Sequence, residues 1–202
     1  ANAAIDLLLG RASPSAKLPA SWPREVGHVG SGSSPWLQAV RGKWVANAVG
    51  VEVNGRRYDA TKADVNAPTP LFSFLSGLSY TTFSYSDLVV TPTACGAGRR
   101  RGAHAVATVS FTLKNTGSVA GAEAAQVYVQ DPIQPIVRPW KRLAAFEKVL
   151  LAPGAATTVR LSLAFDDIAL HDEAMRFVVA PGNYVVSVGG SSESDDLRAT
   201  VA

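Results

Sequence analysis

The sequence predicts a mainly β protein whose C-terminal part is an antiparallel sandwich, and three observations carry that prediction. From Leu88 onward apolar residues recur with a period of two. Val109, Phe111 and Leu113 alternate with Ser110, Thr112 and Lys114; Val127 and Val129 flank Tyr128; Val159, Leu161 and Leu163 alternate with Arg160 and Ser162; Val186 and Val188 flank Ser187. Turn residues separate these runs at Asn115-Thr116-Gly117, Ala152-Pro153-Gly154 and Ala180-Pro181-Gly182-Asn183. About seven short strands in just over a hundred residues is the count of an immunoglobulin-like or fibronectin-like sandwich.

In chain order, residues 3–9 read as a helix: Ile5, Leu8 and Leu9 sit at helical spacing, Asn2 can cap it, and Gly10 can close it in the left-handed conformation. Pro14, Pro19 and Pro23, mixed with Ser13, Ser15 and Ser21, cannot continue that helix and read as a loop around one short strand, 17–21. Between Val26 and Pro70 the pattern is irregular, with isolated Trp36 and Trp44. So long a connection either carries a function or lies on a partner surface. Residues 1–81 therefore read as the tail of a domain whose beginning is missing, and residues 82–202 as the sandwich, the two joining near Tyr80 to Leu88. Residues 191–196 read as a polar loop before a last strand, 197–201.

Composition narrows the function classes. Hydrophobic content is 47% and charged content 17% of 202 residues. No run approaches the roughly 20 apolar residues of a membrane span, so no membrane partner is expected. Cys95 is the single cysteine, which excludes an internal disulfide and a cysteine-based zinc site. Lys and Arg outnumber Asp and Glu by 19 to 16. Arg99-Arg100-Arg101, between Gly98 and Gly102, reads as a solvated loop, since a nucleic-acid patch needs more basic residues on a formed face with stacking aromatics among them. No nucleic-acid partner and no cofactor are expected. The start Ala-Asn-Ala-Ala, without a charged region before a long apolar one, suggests a processed product or a piece of something longer.

The densest candidate site is PLFSFLSGLSYTTFSYSDL, residues 70–88, which sets Phe72, Phe74, Tyr80, Phe83 and Tyr85 among Ser, Thr and Gly. Two readings compete: aromatic faces and neighbouring hydroxyls can build a sugar site, or the rings can simply glue a loop to adjoining domains. Trp22, Trp36, Trp44 and Trp140 are further stacking candidates, of which Trp36 and Trp44, in the irregular segment, suit binding better. Asp59, Asp64, Glu25 and Glu52 in the irregular segment, with Asp166, Asp167, Asp172 and Glu173 in the sandwich, do not add up to a catalytic carboxylate pair; Asp59 beside Tyr58 is the one to test. His171-Asp172-Glu173 reads as a polar turn, because neighbouring strand side chains point to opposite faces and rarely converge on one ion. His28 and His104 stand alone, and no G-x-S-x-G elbow occurs.

Read in order, these residues resemble the C-terminal end of a family 3 glycoside hydrolase, of the β-glucosidase and β-xylosidase type. Residues 4–10 are similar to the helix before the family's P-S-G-K-L-P, here Pro14-Ser15-Ala16-Lys17-Leu18-Pro19, followed by Trp22-Pro23-Arg24. Gly55-Arg56-Arg57-Tyr58 and Pro70-Leu71-Phe72 resemble its G-R-x-Y loop and its P-L-F-P-F-G-Y-G-L-S-Y-T-x-F string. Lys114-Asn115-Thr116-Gly117, Ala120-Gly121, Gln126-Val127-Tyr128-Val129, Arg138-Pro139, Lys141-Arg142-Leu143, Phe146-Glu147-Lys148-Val149, Leu151-Ala152-Pro153-Gly154 and Pro181-Gly182-Asn183-Tyr184 then follow in the family's order.

The resemblance implies an enzyme with a catalytic barrel, an α/β sandwich domain and a fibronectin type III-like domain. This chain would be the last part of the second and all of the third. The nucleophilic aspartate of the barrel and the glutamate acid/base, which precedes P-S-G-K-L-P, have no counterpart here, so no catalytic residue is expected in this chain. It implies Arg57, Tyr58, Phe72 and Phe74 as substrate-binding candidates, beside Trp36 and Trp44, which residue type alone and not the resemblance puts forward. It also places Trp140, between Pro139 and Lys141, on the sandwich surface facing the other domains, as an interdomain anchor. The partners would be the N-terminal barrel portion and an oligosaccharide ending in β-linked glucose or xylose, in a secreted or extracellular setting. The alternative is a carbohydrate-binding or structural sandwich without catalysis. Phe74-Leu75-Ser76-Gly77 stands where F-G-Y-G or F-G-H-G is usual, and Ala16 replaces a glycine, at a cost of about 1 kcal/mol if φ is positive there.

Overall fold

In the computed structural model the described residues are 2–22, 49–53, 56–59, 71–93, 105–131, 141–172 and 174–201, those between 49 and 59 by backbone alone. The alternation of Val109, Phe111 and Leu113 becomes the central strand of one sheet, β4 (Ala105–Asn115), in which every second residue from Ala107 to Asn115 is buried. It pairs antiparallel with β3 (Phe83–Pro92) and β7 (Ala156–Ala164). The facing sheet has four strands in the order β11-β10-β5-β6: β5 (Gly121–Gln130), β6 (Arg142–Leu151), β10 (Tyr184–Gly189) and β11 (Leu197–Val201). The expected sandwich of seven strands is formed, three on one side and four on the other.

Its core lies where the periodicity put it. Val109, Phe111, Leu113, Val159 and Leu163 from one sheet meet Ala125, Val127, Val129, Val186 and Val188 from the other, all nearly or fully excluded from water. The one element the period did not reveal is a single helical turn after β7, α2 (Phe165–Ile168), which tucks Phe165 and Ile168 under the core edge. It leads into a small hairpin of β8 (Leu170–His171) and β9 (Phe177–Val178). The polar turn expected near His171 is there: the Asp172 carboxylate accepts from the backbone N–H of Ala174 at 3.0 Å and of Arg176 at 2.8 Å, while the His171 ring packs on Phe177.

The N-terminal helix α1 (Asn2–Leu8) forms one residue earlier than expected and buries none of its residues. Its end is a Schellman motif: Gly10, at φ 70°, donates to Leu7 O at 3.0 Å, and Arg11 to Asp6 O at 2.8 Å. The strand expected at 17–21 is not formed as a regular element. Leu18 exchanges backbone hydrogen bonds of 2.9 Å with Leu75 and Ser76, and pairing resumes only at the isolated bridge between Trp22 and Phe72. Pro19 interrupts it, since it has no N–H to donate. Ala16 is not among the residues with positive φ, so its substitution for glycine brings no backbone strain.

Candidate functional site

Residues 12–22 and 71–81 run together as a polar strap along one end of the sandwich, and specific side chains fasten it. Asn115, fully buried at the end of β4, makes the first fastening. Its Oδ1 accepts from Thr81 Oγ1 and from the Gly117 N–H at 3.0 Å, while its Nδ2 donates to Val119 O at 2.8 Å and Leu151 O at 3.1 Å. All four of its hydrogen-bonding positions are used, as a buried amide requires. Thr81 comes so close that a Cβ at Gly117 would collide with its Oγ1, and one at Gly121 would lie 2.6 Å from its Cγ2. The two glycines that follow Asn115 in sequence therefore exist to admit the strap.

The second fastening is ionic. Lys17 Nζ donates to both oxygens of Glu123 on β5, at 2.9 and 3.1 Å, and Tyr85 OH on β3 donates to Oε1 at 3.1 Å. The pair is largely screened from water, with side chains 11% and 9% exposed. Tyr85 also lays its ring against Phe111, centroids 6.0 Å apart. Burial first, and then the Glu123 charge, push its phenol far above the ordinary range. These groups line a cleft of about 390 Å³ together with Ser79, Thr82 and Asp196.

The third fastening is Gln126, 1% exposed on the outer face of β5. Its Nε2 donates to Gly190 O at 2.8 Å and shares its other hydrogen between Leu75 O and Ala124 O, each at 3.3 Å, and its Oε1 accepts from Tyr128 OH at 2.6 Å. Leu75 itself sits at φ 57°, the left-handed region that a glycine would occupy without cost. The departure from F-G-Y-G has thus left a leucine in a conformation suited to glycine.

Of the residues singled out in the sequence, Phe72 and Phe74 ride on this strap. Phe72 is 43% exposed and bridges to Trp22, itself 55% exposed, so the structure pairs Phe72 with a tryptophan rated below Trp36 and Trp44. Phe74 is half-buried, and its carbonyl accepts from Ser192 N at 3.0 Å. Arg57 and Tyr58 lie on β2 (Arg56–Asp59), opposite Glu52 and Val51 of β1 (Val49–Val53), with their side chains outside the described residues. Trp36, Trp44, Trp140, Glu173 and the arginine run at 99–101 also lie outside them. Among the described residues no group of three His, Cys, Asp or Glu is placed to hold a metal ion. Sequence reasoning missed Lys17, Glu123 and Gln126. The available signal was two polar residues, Glu123 and Gln126, inside an otherwise apolar strand run, since such groups persist in a core only when partnered.

The seven-stranded sandwich is that of a fibronectin type III-like domain, and residues 123–192 match that domain family. The chain is 34% identical over 197 residues to a β-xylosidase of Formosa agariphila, covering 98% of this chain and 24% of that protein. It is 33% identical to a periplasmic β-glucosidase of Salmonella typhimurium, covering 95% of this chain and 23% of that protein. The crystal structure of β-D-glucoside glucohydrolase from Trichoderma reesei superimposes with a TM-score of 0.76 at 32% identity, over 100% of this chain and 28% of that one. The chain belongs to glycoside hydrolase family 3 and corresponds to the C-terminal part of its members, spanning about a quarter of the length of these relatives. Among the described residues, no helix is long and apolar enough to cross a membrane.

Proposed function

We propose that these residues form the C-terminal part of a β-glycosidase that removes terminal β-linked glucose or xylose from oligosaccharides by double displacement. Residues 1–81 complete an α/β domain, and residues 82–202 are the sandwich that braces it. The observation that carries the reading is the strap: the loop bearing Phe72 and Phe74 is fixed to the sandwich by Asn115, Glu123 and Gln126, and its backbone bridges to Trp22 at Phe72. Arg57, Tyr58, Phe72 and Phe74, with Trp36 and Trp44, then border the sugar, stacking on its apolar face.

The nucleophile and the acid/base come from the N-terminal barrel portion and the rest of the α/β domain. General acid/base help alone is worth about 10² to 10⁴ in rate, so these 202 residues by themselves should be inactive. The similarity to a periplasmic β-glucosidase supports a location outside the cytoplasm. The test is hydrolysis of aryl β-glucosides and aryl β-xylosides by the full-length protein; turnover of either is expected, and failure on both overturns the reading. A second reading, polysaccharide binding without catalysis, draws on the exposed Trp22–Phe72 pair. It requires retention on insoluble glucan or xylan that Trp22→Ala weakens.

A further inference from the structure

We propose that Glu123 and Gln126 of β5 are positioning residues for the loop of residues 72–76, setting the place of Phe72 and Phe74 from the sandwich side. For its effect on substrate the inference rests on the function proposed above, but its geometry stands without it. Alternate strand residues face opposite ways, so positions 123 and 126 project to opposite faces of β5 and reach the strap by two routes. Glu123 holds Lys17. The next residue, Leu18, takes the Leu75 N–H and gives its own N–H to Ser76 O, both at 2.9 Å. Gln126 grips the other side of the same residue through Leu75 O. Leu75 is thereby held at its N–H and its C=O while in the left-handed conformation.

Phe74 is fixed by a third contact from the same end of the sheet, Ser192 N to Phe74 O. The loop after β10 supplies that donor and also closes on the first two. Gly190 O accepts from Gln126, and a Cβ on Gly190 would lie 2.7 Å from Glu123 Oε1. Three consecutive residues, 74–76, are therefore tied to β5, to the loop after β10, or to Leu18 beside the Lys17 that Glu123 holds. A hydrogen bond to a charged group is worth more than a neutral one, so Glu123 is the stronger of the two anchors.

The test compares Glu123→Gln, Lys17→Met and Lys17→Arg in the full-length protein by amide hydrogen exchange and by kinetics on an aryl β-glucoside and an aryl β-xyloside. In Glu123→Gln and Lys17→Met the amides of Leu18 and Leu75 should exchange about tenfold faster, the loss of a charge-assisted bond. Those of Val109 and Phe111 in the sandwich should hold. KM should rise while kcat stays nearly constant, because substrate contacts and not the chemical step are disturbed. Lys17→Arg, which keeps a cation, should retain slow exchange and the original KM. Unchanged exchange at Leu18 and Leu75 overturns the proposal, as does equal acceleration at Val109 and Phe111, which would make the residues general supports of the fold. If the unaltered protein cleaves neither glycoside while Glu123→Gln still loosens Leu18 and Leu75, the positioning inference stands and the proposed function falls.

Discussion

β4 and the strap touch each other through Asn115 and Thr81, yet opposite means hold them in place. β4 is fixed by Val109, Phe111 and Leu113, three fully buried apolar side chains whose burial is non-directional and scales with area. The strap is fixed by a carboxylate, two amides and a hydroxyl, each with a definite partner and distance. The first kind of contact tolerates exchange for another apolar residue of similar volume. The second does not, because a buried polar group that loses its partner carries its full desolvation cost. Shape can therefore drift in the sandwich core, while the strap keeps its path only if particular atoms remain.

Alkali should break both regions at once. Tyr85 joins core and strap, and Tyr128 backs Gln126; burial raises both phenols above their usual value of 10.0. Each holds its proton in the folded state to a higher pH than in the unfolded chain, so their contribution is complete below about pH 10 and is lost as pH rises beyond it. Urea midpoints should be flat toward pH 10 and fall steeply above it; a flat profile through higher pH would contradict the placement of both rings.

Phe111→Ala attacks chiefly the core and should cost about 3–5 kcal/mol in urea unfolding, a cavity effect. Asn115→Ala attacks the fastening between the regions and should cost about 2–3 kcal/mol, since it leaves several buried partners unpaired. It should also expose the strap near Thr81 to proteolysis, which Phe111→Val, retaining apolar contact, should not. A sharper comparison sits at Leu75. Everything beyond Cβ is lost in both Leu75→Ala and Leu75→Gly, so their difference reports the strain of a Cβ at positive φ, and the glycine variant should be the more stable by about 1 kcal/mol. The smallest effect is expected at Asp195. Burial would raise its pKa, but the Lys141 ammonium at 3.0 Å, a hydrogen bond from Ser187 and the Arg198 charge together outweigh it and the carboxyl ends below 3.8. The contribution is present at neutral pH and lost as the solution is acidified past that value, and Asp195→Asn should cost about 0.5 kcal/mol, as partly exposed pairs do.

Much of this was legible in the chain itself. The period of two marked Val109, Phe111, Leu113, Val159, Leu163, Val186 and Val188 as inward-facing, and all seven belong to the core. Asn115-Thr116-Gly117 marked a turn, and Gly10 a helix end. The strand expected at 17–21 does not form, because Pro19 has no N–H to donate and pairing reaches only Leu18 and the bridge at Trp22. α2 was missed because one helical turn is too short to establish a period.

Sequence alone thus determined which residues alternate, where the chain turns and which order of motifs it follows, for these depend on neighbours a few positions apart. Only the tertiary structure decided that Lys17 meets Glu123 across 106 positions and that Gln126 reaches Leu75 across 51. Nothing local in a lysine or a glutamine names a partner so far away. The packing of both sheets, which places those groups within hydrogen-bond reach in a site poor in water, is what makes the pairing specific.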